Sequence, residues 1–182
     1  LSVSFDQILR RPTFSLPSLG TINCHAGMLP FYRGRSVLNW ALINDESSIG
    51  ITVHYVDEGI DTGDIVLQES IEVTDDDDYG TLLARGSDAC AEAVVDAVSL
   101  ICGDLADPVE QASIDPVGSY FTRRLPGDER IIWESSSREV FNHVRAVTPP
   151  GPGAVTWIDD EEWRILRVRV PTAARPWSMV AG

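Results

Sequence analysis

The chain has 182 residues, 43% of them hydrophobic, and a formal charge of -14 from 28 acidic and 14 basic side chains. That length suits one ordinary domain, or one domain plus the start of another, with apolar material enough for a core. The acidic balance disfavours a nucleic-acid partner, and neither an apolar run near the roughly 20 residues that cross a bilayer nor a basic-then-apolar leader is seen.

Residues 1–5 alternate like a strand already under way. Since the chain starts at Leu1 rather than Met, the natural N-terminus is expected upstream. A short helical turn is expected at 7–10, a Pro-containing loop at 12–18, a strand at 20–25 and a loop at 27–34. Val37, Leu38, Ala41 and Leu42 share one side of a predicted helix over 35–43. Alternating strands at 49–56 and 65–73 flank an Asp- and Gly-rich turn at 57–63 and are expected to pair. Four Asp at 75–78 precede a helical pattern from 80 to about 102, where acidic side chains complement the helix dipole. A serine-capped helix over 137–147 turns Val140, Phe141, Val144 and Val147 inward. After the Pro/Gly stop at 149–153, strands are expected at 154–158 and 163–170, joined by an acidic turn at 159–162. Residues 171–182 show no clear pattern. The mixture predicts an α/β sheet covered by helices.

The densest chemical signal is Asn23-Cys24-His25 with Gly27 close behind. Side chains alternate along a strand, so Asn23 and His25 share a face and Cys24 takes the other. That separates Cys24 from His25 and makes it a small core residue rather than a nucleophile. The position suits a ligand site, since ligands of open α/β sheets sit beyond the carboxyl ends of strands. A hydrogen-bonded core histidine explains the same residues equally well. The second signal is the loop holding Asp57, Glu58, Asp61 and Asp64, whose spacing does not match an EF-hand. A solvated turn accounts for most of these acids, but one of them need only reach His25 to orient it and raise its pKa. His54 faces away from the stripe of Ile51, Val53 and Tyr55, and His143 is expected to be structural. The three cysteines have no CxxC spacing, and a reducing cytoplasmic setting is the default. All the basic residues are Arg, which suits either a high-salt cytoplasm or a GC-rich genome.

Together, TINCHAGMLPFYRGR, NWAL and GITVHYVDEGIDTGDIV resemble the folate-dependent formyltransferase family. The resemblance covers residues 3–73, with a weaker echo in RLPGDERIIW and NHVRAVTPPGPGAV. It implies a Rossmann-like formyltransferase domain over 1–148 that lacks its first strands and helices. The start of a small C-terminal β module would follow at 149–182. By resemblance, Asn23, His25 and Asp61 match the catalytic trio. Phe5, Gln7, Ile8 and Leu9 match a loop along the pterin ring, and Asp57, Glu58, Gly59 and Ile60 match the other wall of the folate pocket. The formyl donor would be 10-formyltetrahydrofolate, with no metal required. Asn23 and a protonated His25 would donate to the developing oxyanion, and Asp61 would stabilise the imidazolium and help take the amine proton.

For the acceptor, the Arg33-Gly34-Arg35 stretch with Asn39-Trp40 soon after resembles the sugar formyltransferases, and two fixed cations can hold a phosphate. The expected acceptor is therefore the amino group of a nucleotide-linked amino sugar. Methionyl-tRNA and a non-catalytic folate-binding fragment are the alternatives, and a homodimer is left open.

Overall fold

The computed structural model describes residues 1–3 and 7–169. In chain order the elements are β1 (Ser2–Val3), α1 (Arg11–Phe14), β2 (Ile22–His25), β3 (Arg33–Gly34), α2 (Val37–Ile43), β4 (Ser48–Tyr55) and β5 (Ile65–Glu72). They continue with α3 (Tyr79–Cys102), α4 (Gln111–Ile114), β6 (Tyr120–Phe121), α5 (Ser137–Val147), β7 (Ala154–Ile158) and β8 (Glu161–Ile165). The main sheet has the order β1-β2-β4-β5, with β1 parallel to β2 and the other neighbours antiparallel. The expected α/β architecture is present.

One face of the sheet is apolar and packs on α3. Ile51 and Val53 are fully buried there against Ala93 and Ala97, whose small side chains let helix and sheet approach closely. Asp78 caps α3 by accepting the Thr81 N–H at 2.9 Å, while its own N–H donates to Thr81 Oγ1. Asp77 turns inward and accepts from Arg85 and from the Thr74 N–H, so these two members of the acidic run serve the helix start. A second core cluster joins α2, α3 and α5 through Leu42, Leu82 and Val144. Ala154 of β7 is fully buried in the same cluster.

The structure departs from the expected elements in three places. Residues 7–10 are not helical; the turn falls at Arg11–Phe14, with Pro12 in the first turn, where its missing N–H costs nothing. The parallel pair β3–β6 and helix α4 are two to four residues long, too short to leave a periodic trace. The β7–β8 turn is only Asp159-Asp160, both at positive φ (50° and 63°), so β8 starts at Glu161 rather than 163. Two residues at positive φ make the tight hairpin whose twist matches its strands, and Asp tolerates that conformation.

Candidate active site

The polar face of β2 carries Asn23 and His25, and antiparallel pairing sets His54 opposite Asn23 and Thr52 opposite His25. Directly opposed residues share a face, so four polar side chains form one patch. The register of β4 against β5 shifts between Val53 and His54, an irregularity of the kind that re-aims a side chain beside a site. The loop after β2 folds over this patch. Thr52 donates to the Gly27 carbonyl at 2.7 Å, and His25 Nε2 lies 2.6 Å from the Tyr32 carbonyl. Gly27 is required by close approach. A Cβ there would stand 2.5 Å from the Tyr32 oxygen and 2.6 Å from His25 Nε2.

Asp61 comes from the loop between β4 and β5, at a φ of 53°. Its Oδ2 accepts the Gly34 N–H at 2.8 Å and lies 3.7 Å from His25 Nδ1; its Oδ1 lies 3.7 Å from His54 Nε2. Gln111 holds this loop by donating to the carbonyls of Asp61 and Gly63. The three expected residues are thus brought together, and His54 joins them. Cross-strand pairing with Asn23 is the signal that places His54 here, and it is readable only once the strand register is known.

Burial lowers the His25 pKa below its ordinary value of 6.5, outweighing the attraction of Asp61 and the hydrogen bond with the Tyr32 carbonyl. This corrects the expectation of a protonated, raised histidine: desolvation wins. Burial also pushes the Asp61 carboxyl up, but His54, His25 and the Gly34 N–H together hold it below the ordinary carboxylate range. An isolated His25–Asp61 ion pair would raise the histidine, so the two shifts do not describe one full ion pair. At neutral pH the charge sits on Asp61, and His25 is neutral. A carbonyl only accepts, so the neutral ring keeps its proton on Nε2, leaving the Nδ1 lone pair toward Asp61. Cys24 lies on the opposite face of the strand. A hydrogen bond with Cys90, together with burial, pushes its thiol well up, away from a nucleophilic thiolate.

A cavity of about 1150 Å³ opens on the trio. Gln7, Ile8 and Leu9 line one side, and Asp57, Gly59 and Ile60 line another. Asp57 braces its loop by accepting from the Gly59 N–H and the Thr62 hydroxyl. Glu58 points elsewhere and makes an exposed 3.4 Å contact with Arg11. Phe5 lies outside the described residues.

Arg35 lines the cavity, but Arg33 does not. Arg33 is buried, with Nε and Nη2 donating to Gln111 Oε1 and Nη1 donating to the Val117 carbonyl and the Tyr120 hydroxyl. The expected substrate-binding role of Arg33 is therefore corrected: its donors are committed inside the fold.

An amide, an imidazole and a carboxylate thus converge on one cavity beside an open α/β sheet. The formyl transferase family model matches residues 1–98, and the model for the formyl transferase C-terminal domain matches residues 125–178. The chain belongs to the formyl transferase family. It is 36% identical over 168 residues to the methionyl-tRNA formyltransferase of Pelotomaculum thermopropionicum, covering 92% of this chain and 52% of that protein. It is 37% identical over 169 residues to that of Geobacter sulfurreducens, with the same coverage. The chain thus spans about half the length of these curated relatives. Among solved structures it is similar to the N-formyltransferase from Helicobacter canadensis in complex with folinic acid and dTDP-3-aminofucose. That match has a TM-score of 0.63 and 28% identity, over 78% of this chain and 52% of the other. The methionyl-tRNA formyltransferase from Clostridium thermocellum shares the fold at a TM-score of 0.75 and 20% identity, over 93% of this chain and 71% of the other.

The curated relatives overturn the amino-sugar reading of the acceptor: those the chain matches here are named methionyl-tRNA formyltransferases, not sugar formyltransferases. The physical ground for the sugar reading was a pair of arginines on a phosphate, and burial of Arg33 removes half of that pair.

Proposed function

We propose that this chain carries the catalytic site of a methionyl-tRNA formyltransferase, which formylates the amino group of the methionyl residue. The observation that carries the acceptor is 36% identity to a protein of that name across 92% of the chain. The formyl donor is 10-formyltetrahydrofolate. The residues fit it: the cavity is larger than an ordinary ligand pocket, and Ile8, Leu9, Val56 and Ile60 offer apolar walls beside the polar trio.

The bound donor supplies an electrophilic formyl carbon. Asn23 gives an N–H to the formyl oxygen, where negative charge develops in the transition state. His25 takes the proton released by the attacking amine on Nδ1, the nitrogen with the free lone pair, and can return it to the departing nitrogen. Asp61 faces the same Nδ1 and stabilises the imidazolium while the proton is held there.

The net charge of -14 opposes a nucleic acid, so local cations must carry the contact. Arg35 and Arg123 both line the cavity and supply such cations. The purified chain, given 10-formyltetrahydrofolate and methionyl-tRNA, is expected to produce formylmethionyl-tRNA. No transfer to methionyl-tRNA would overturn the reading.

A further inference from the structure

Three side chains serve the chemistry above. A fourth side chain, His54, lies among them with 3% of its surface exposed, and that mechanism gives it no part. Its Nδ1 is 2.7 Å from the Tyr55 carbonyl, its Nε2 is 3.3 Å from Asn23 Nδ2, and the same Nε2 is 3.7 Å from Asp61 Oδ1.

These contacts fix the ring's tautomer. The Tyr55 carbonyl can only accept, so His54 Nδ1 carries a proton. In the neutral ring Nε2 is then an acceptor, and the Asn23 amide nitrogen donates to it. The contact with Asp61 is too long for a hydrogen bond. The arrangement also fixes Asn23. With its amide turned over, the Asn23 carbonyl would face the His54 lone pair and stand beside the Asp61 carboxylate, with no proton between them. The orientation seen instead places an N–H against that lone pair. One N–H of Asn23 is taken by His54, and the second remains on the same nitrogen.

We infer that His54 is a positioning residue for Asn23: it anchors the amide by one N–H and so keeps the other N–H for the formyl oxygen. The catalytic half of this statement rests on the formyl-transfer reading; the orientation of Asn23 does not.

The test has two arms. The first reads the tautomer of His54 from imidazole nitrogen shifts of the 15N-labelled chain, with neither donor nor acceptor present and His54→Gln for assignment. The expected pattern is a protonated Nδ1 and a bare Nε2. A protonated Nε2 overturns the proposal, whatever the acceptor proves to be. The second arm is kinetic. His54→Leu is expected to lower kcat about tenfold, the scale of one oriented hydrogen bond, with little change in the donor KM. His54→Gln, whose amide can accept from Asn23, should recover much of the loss. In an Asn23→Ala background His54→Leu should cost nothing further. An equal loss in both backgrounds would show that His54 does not act through Asn23 and would overturn the proposal. Failure of the wild-type chain to formylate methionyl-tRNA would count against the proposed function, and the tautomer then decides the orientation of Asn23 by His54.

Discussion

Asp61 Oδ2 accepts the Gly34 N–H at 2.8 Å while standing 3.7 Å from His25 Nδ1. One oxygen therefore anchors the loop and also sets the charge beside the His25 imidazole. Asp61→Asn separates the two roles. Asn tolerates the 53° φ and can still accept the Gly34 N–H, but carries no charge. Turnover is expected to fall about 100-fold or more, as for loss of a general-base partner, with melting temperature little changed. Near-normal turnover would remove the charge from the mechanism.

The lowered His25 pKa gives stability a predictable pH dependence. Above the ordinary value of 6.5 neither the folded nor the unfolded state binds the proton. As pH falls below 6.5 the unfolded chain binds it first, so stability is lost progressively until the folded-state pKa is reached. Urea midpoints measured from about pH 8 to about pH 5 should decline in the wild type and decline less in His25→Gln. The acid limb of kcat/KM should fall below pH 6.5; a limb above it would contradict a buried, lowered histidine.

Gly27→Ala places a Cβ 2.5 Å from the Tyr32 oxygen and 2.6 Å from His25 Nε2. Backbone sits on one side of it, so the imidazole must move. The expected result is a stability loss of about 1–3 kcal/mol, as for overpacking, together with a fall in kcat. Unchanged kinetics in a folded variant would show that the His25–Tyr32 contact is not required.

Arg33→Met keeps the apolar stem and removes the guanidinium. Gln111 Oε1 then loses both of its Arg33 donors inside the fold. An orphaned buried acceptor costs about 1–3 kcal/mol, so the melting temperature should drop. Because Gln111 also holds the Asp61 and Gly63 carbonyls, proteolysis of the Asp61 loop should speed up. A stable variant that had lost only acceptor affinity would restore Arg33 to the substrate.

A charge of -14 repels itself in the compact state. The Debye length shrinks from about 10 Å at 0.1 M salt to about 3 Å at 1 M, so melting temperature should rise with KCl over that range. A flat curve would leave codon usage as the reason for the missing Lys.

The sequence by itself determined much of the local structure and the shared face of Asn23 and His25. Alternation placed Asn23 and His25 on one face and Cys24 on the other, and helical periodicity bounded 137–147 as the structure has it. Both signals depend only on neighbours along the chain, which is why they survive without coordinates. The role of His54 depends on its register against Asn23, and the fate of Arg33 depends on Gln111, 78 residues away. The His25 pKa turns on a balance between burial and Asp61 that no spacing records. Only the tertiary structure decides these, because desolvation and hydrogen bonding act between residues that the chain keeps apart and the fold brings together.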